Sequence, residues 1–155
     1  MKIRSVAAGV ALALFAAAGG AAMAQEHYTE GPVWSVTLMR TNDGQFDNYM
    51  EFLRANWLPN MAEGKKQGLI LDYKVFVADL NDPNGWNVGL AVLNSSFGKA
   101  LDYNADDEKK WDAITAKTMK TADKDKQDEM SKPRFSMRTF VRTYVSREVT
   151  LKPMP

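Results

Sequence analysis

The sequence predicts an α+β domain: a four-stranded antiparallel sheet with two helices on one face. Three observations carry this expectation. Four stretches alternate apolar and polar residues with period two, two others repeat apolar residues at three- and four-residue spacing, and their order is strand, helix, strand, strand, helix, strand. That order is a split βαβ arrangement (βαββαβ), in which runs of antiparallel strands and helices share one core.

Each element has its own signal. VWSVTLMR (33–40) alternates and is rich in β-formers, so it reads as the first strand. Asn42-Asp43-Gly44 is a turn, with Asp43 able to cap a helix. From Gln45, Phe46, Tyr49, Met50, Leu53, Trp57 and Met61 recur at helical spacing. Pro59 removes a backbone donor and predicts a kink near 55–58, and Gly64 and Gly68 are read as the helix end. LILDYKVFVA (69–78) is the second strand, DLNDPNG (79–85) a hairpin-like loop and WNVGLAVL (86–93) the third strand. Asn94-Ser95-Ser96 looks like a cap for a helix that starts at Phe97 and resumes at Asp106, burying Trp111, Ile114, Met119 and Ala122. The charged run 123–132 is read as a solvated helix end, and 133–151 as holding a long final strand.

Residues 1–24 read as a cleaved secretory signal. Lys2 and Arg4 precede an apolar stretch, and Ala22-Met23-Ala24 forms a small-x-small cleavage site. The strongly apolar part is shorter than the roughly 20 residues of a membrane span. Cleavage leaves 131 of 155 residues: a flexible start over 25–31 and a single domain over 32–155. It also changes 20 bases against 19 acids to 18 against 19, which gives no general field for nucleic acid or an anionic membrane. There is no cysteine, so disulfides and thiolate chemistry are excluded. The expected location is the bacterial periplasm or outside the cell.

No glycine-rich phosphate loop, catalytic triad or paired histidine ligands occur, and no cofactor is expected. Glu26 and the single histidine, His27, follow the cleavage point. With Gln25 as the new terminus, a free amine, two amides and the imidazole could wrap Cu(II) or Ni(II) in a square plane of nitrogens. A frayed polar terminus is the competing reading.

Strand parity supplies the other candidate site. Trp34, Val36 and Leu38 are expected under the helices, with Tyr73, Val75, Leu90 and Val92, and with Phe135, Met137, Val141 and Val145 of the last strand. The opposite face would then carry Asp72, Asn87, Arg138, Phe140, Arg142 and Tyr144. There the two arginines could clamp a carboxylate or other anion, with Tyr144 and Asn87 orienting it. The same arginines could instead form cross-strand pairs with Asp72 on a wet face. Trp57, beside the proline kink, is a further ligand candidate.

Over about residues 32 to 151, topology and length resemble the dimeric α+β barrel proteins of the ferredoxin-like superfamily, and DGQFDNYMEFLRANWLP is similar to a stretch of its small exported members. The resemblance implies a homodimer whose sheets close on each other around a cavity. It implies binding of a small organic ligand or a partner there, with a cofactor-free oxygenase or isomerase as the alternative and Asp72, Tyr144 or a carboxylate near the kink as its acid–base group. Histidine-ligated haem, used by some relatives, would require His27, which lies outside the predicted fold.

Overall fold

The computed structural model describes residues 27–78 and 85–154. The expected signal segment, Gln25 and Glu26, and most of the expected 79–85 loop lie outside these residues. Strands β1 (Tyr28–Thr41), β2 (Asp72–Val77), β3 (Val88–Asn94) and β4 (Arg138–Leu151) form one sheet in the order β2-β3-β1-β4. All neighbouring pairs are antiparallel. The chain is therefore α+β with a four-stranded antiparallel sheet, as the periodicities predict.

Between β1 and β2 runs one continuous helical segment: α1 (Phe46–Phe52), a π-helical turn (Leu53–Trp57) and α2 (Leu58–Lys66). The turn accommodates Pro59. Pro59 has no N–H for the carbonyl of Ala55, and its ring would press on that carbonyl in an ordinary α-helix. The ladder instead widens by one residue, and the Leu58 N–H donates to the Leu53 carbonyl five residues back. The helix does not stop at Gly64, as the sequence suggested. It stops at Gly68, whose φ of 71° suits glycine. Gly64 serves packing: a Cβ there would overlap the Trp111 ring of α4 (Ala105–Thr118).

Between β3 and β4 lie α3 (Phe97–Leu101), α4, α5 (Lys124–Ser131) and α6 (Pro133–Met137). Three polar caps set these starts. Ser96 Oγ accepts from the Lys99 N–H at 3.1 Å, and Asn104 Oδ1 accepts from the N–H groups of Asp106 and Asp107 at 3.0 Å. Asp123 does the same for Asp125, so 124–131 is a separate capped helix, solvated as expected except that it buries Gln127. The side chain of Gln127 donates to the Thr121 carbonyl at 2.8 Å. Pro133 opens α6 at its first turn, where proline's fixed φ is helical. Phe135 and Met137, expected in the last strand, are consequently helical.

Strand pairing corrects the parity expected for β1. Ser35 lies opposite Val92 and Val145, and Thr37 opposite Leu90 and Thr143. Paired residues share a face. The helix side of β1 therefore carries Ser35, Thr37 and Met39, while Trp34, Val36 and Leu38 lie on the open face. Alternation alone could not decide this, because the strand reads as apolar on one face whichever way it is turned. The register also shifts between Leu38 and Met39, so Arg142 pairs with Leu38 but Phe140 with Met39 and Arg138 with Thr41. This bulge splits the row expected on one face. β1 also begins five residues before the expected Val33, because β4 pairs with Tyr28 to Glu30. An irregularity follows at Gly31-Pro32, where proline cannot join the ladder.

The main core cluster is Met39, Tyr49, Leu53 and Val88, with Phe46, Met50, Trp57 and Leu90 packed against it. It lies between the sheet and the α1–α2 segment.

Candidate functional site

A cavity of about 310 Å³ opens beside this core, between sheet and helices. Its floor is the helix side of β1 and β3: Ser35, Thr37, Met39, Leu90 and Val92. Ser35 and Thr37 explain why space remains. They are small side chains on a central strand whose bulky residues face the other way, so the floor sits low under the helices. The π turn and its neighbours form one wall with Tyr49, Phe52, Leu53, Asn56, Trp57 and Asn60. Met119, Ser131, Arg134 and Arg138 complete the lining.

The polar groups are individually fixed. The Asn56 side-chain amide donates to the Phe52 carbonyl at 3.0 Å, and Asn60 Oδ1 accepts from the Thr118 hydroxyl. Thr37 and Thr143 hydroxyls lie 3.2 Å apart on the floor. Trp57 stacks edge-on against Tyr73, with ring centroids 5.7 Å apart and planes at 86°. Tyr49 is only 2 % exposed. Burial raises its phenol above the ordinary tyrosine value, and the neighbouring Arg138 and Arg134 guanidiniums pull the other way without cancelling the shift. Tyr49 therefore stays a hydrogen-bond donor throughout the physiological range.

The two arginines are the unusual members. Their guanidiniums lie against one ring, that of Phe135, with Cζ 5.0 Å from the centroid for Arg134 and 5.5 Å for Arg138. The Nε–H of each is buried and has no hydrogen-bond partner. Among the described residues neither arginine forms an ion pair, and the described lining contains no aspartate or glutamate.

The residues singled out from the sequence divide among several places. Trp57 and Arg138 line this cavity. Arg142 and Tyr144 are on the open sheet face, where Arg142 Nη1 lies 3.2 Å from the Tyr144 hydroxyl. Asp72 pairs with Lys65 at 2.7 Å, and that hydrogen bond holds its carboxyl below the usual range. Asn87 is buried and ties the start of β3 to β1. Its side-chain oxygen accepts from the Thr41 N–H at 2.9 Å, its amide donates to Thr41 Oγ1 at 2.6 Å, and its own N–H donates to the Met39 carbonyl at 3.0 Å. The His27 carbonyl accepts from the Lys152 N–H at 2.8 Å, and the described residues contain no cluster of three metal-ligating side chains.

Sequence reading missed Tyr49, Asn56, Asn60 and Arg134. For Arg134 a signal was present in Pro133, which starts a helix and so puts Arg134 in its first turn, one turn before Arg138 at the start of β4. Against models of protein families, curated proteins and solved structures, the chain has no significant match.

Proposed function

We propose that this protein binds a small organic molecule in the cavity between its sheet and its helices. The observation that carries the reading is the lining itself: apolar walls with a few convergent polar groups, held by packed elements, at the small end of the roughly 300–1,000 Å³ typical of ligand sites. The described lining offers donors and apolar surface, and Tyr49 holds its proton, which supports binding over proton-transfer chemistry.

The surrounding reading is an exported, periplasmic homodimer with a ferredoxin-like α+β topology, the two sheets facing each other through their open faces. The strand order β2-β3-β1-β4, with every neighbour antiparallel, supports that topology. The bulky side chains on the open face, Trp34, Val36 and Leu38, support the pairing.

Native mass spectrometry of the protein recovered from expressing cells tests the binding reading. One small molecule per protomer is expected, absent from a Thr37→Trp variant whose indole fills the cavity. Bare protein, together with no saturable NMR shift at the Leu53, Leu90 or Val92 methyls across a fragment set, would refute it.

A further inference from the structure

We infer that the ligand of this cavity is an organic anion, a carboxylate on an apolar body, with its head group held by Arg134 and Arg138. The inference rests on the reading of the cavity as a ligand site and adds the charge and polarity of what enters it.

Two cations line the same cavity, and among the described residues neither has a counter-charge. Both guanidiniums are packed against Phe135, which fixes them on the same wall. No described acid pairs with either, although eight ion pairs are formed elsewhere among the described residues. A buried guanidinium N–H without an acceptor is costly, and Nε of both Arg134 and Arg138 is in that state, as is Nε of Arg147 outside this lining. A carboxylate supplies what both lack: two oxygens that accept from a planar fork, and a negative charge between two positive ones. Tyr49, held protonated beside Arg138, adds a neutral donor to the same head group. Away from the arginines the lining becomes apolar, with Phe52, Leu53, Trp57 and Leu90 offering a surface for hydrocarbon or a ring. A bare inorganic anion would leave that surface unused.

The test is calorimetric titration of the full mature chain with matched pairs: benzoate and benzamide, phenylacetate and phenylacetamide, 2-naphthoate and 2-naphthamide. Each pair shares shape and differs in charge. In at least one pair the carboxylate is expected to bind at least about tenfold tighter than its amide, the scale of a hydrogen bond to a charged group. The preference should fall in Arg134→Gln and Arg138→Gln and persist in Arg142→Gln, whose side chain is on the other face. The acid–amide comparison in the unmodified protein needs no variant to fold. Equal binding of acid and amide would overturn the anion inference and leave the cavity reading standing. Failure of every pair to bind would overturn both.

Discussion

At the scale of single residues, the polar side chains with most at stake are inside the protein. Asn87 was read from the sequence as a ligand-orienting group on a sheet face. In the structure its amide satisfies the main chain and hydroxyl of Thr41, at 2.9 and 2.6 Å. Asn87→Ala would leave two buried polar groups unpaired, each costing about 1–3 kcal/mol. A fall of that size in unfolding free energy is expected in urea titrations with unchanged slope, whereas a change below 0.5 kcal/mol, of the order usual for surface substitutions, would show that water replaces the amide. Tyr49 gives a second expectation, and its sign follows from burial raising the phenol above 10.0. Below that pH the phenol is protonated in both folded and unfolded chains and adds no slope. Above it the unfolded chain loses the proton first, so stability falls as pH rises. In Tyr49→Phe that alkaline slope should be shallower, as read from melting temperatures between pH 9 and 11. An unchanged slope would place the titration elsewhere. The role of Asn87 was not legible in the sequence, because alternation gives a residue's side of a strand but not its neighbours in space, whereas the helical spacing of Tyr49 with Phe46 and Leu53 did mark it for the packed side.

At the scale of elements, patterns held where one periodicity dominated and failed where two overlapped. The strand–helix order and the disturbance at Pro59 were readable. The final strand read within 133–151 is there, but it begins only at Arg138 and leaves out Phe135 and Met137, since PRFSM has both strand-like composition and a proline suited to a first helical turn. The π turn raises a quantitative question: does Pro59 maintain it, or does the core? Proline disfavours an ordinary α-helix there by roughly 3 kcal/mol or more. Removing the extra residue's bulge would rotate α1 by about 100° against α2 and withdraw Tyr49 and Leu53 from the cluster with Met39 and Val88. Losing two such buried side chains costs about 2–5 kcal/mol each. Packing therefore outweighs the proline. Pro59→Ala is expected to keep the near-UV circular dichroism of the Trp57–Tyr73 pair and to change stability by about 1 kcal/mol or less. A collapse of that signal would mean that the proline alone holds the turn.

At the scale of the whole molecule, one fact of register organises both faces of the sheet. Turning β1 so that Ser35 and Thr37 meet the helices opens the cavity, and it also sends Trp34, Val36 and Leu38 to the other side. Around Gly89 on that side, Leu38, Phe76 and Trp86 approach one another, and Phe76 and Tyr144 remain 45 % and 47 % exposed. A sheet face carrying these apolar side chains beside Lys74 and Arg142 fits association with another copy through a self-complementary surface. Val36 lies near its middle, paired with Ala91 on one side and Tyr144 on the other. In a free protomer a lysine at this half-buried position can extend to water. In a face-to-face dimer it brings an unpaired charge into a dry interface, which costs several kcal/mol. Light scattering should therefore report a dimer for the native chain and a monomer for Val36→Lys, with thermal unfolding still cooperative. The same variant separates the two faces. The cavity lies on the helix side of the sheet, away from the face that carries Val36, so the Val36→Lys monomer should retain the native preference for carboxylate over amide. A native chain that is already monomeric would remove the dimer from the account and leave the cavity unaffected. A monomeric variant that no longer binds would mean that the partner completes the site, and that ligand capture depends on the pairing of the sheets.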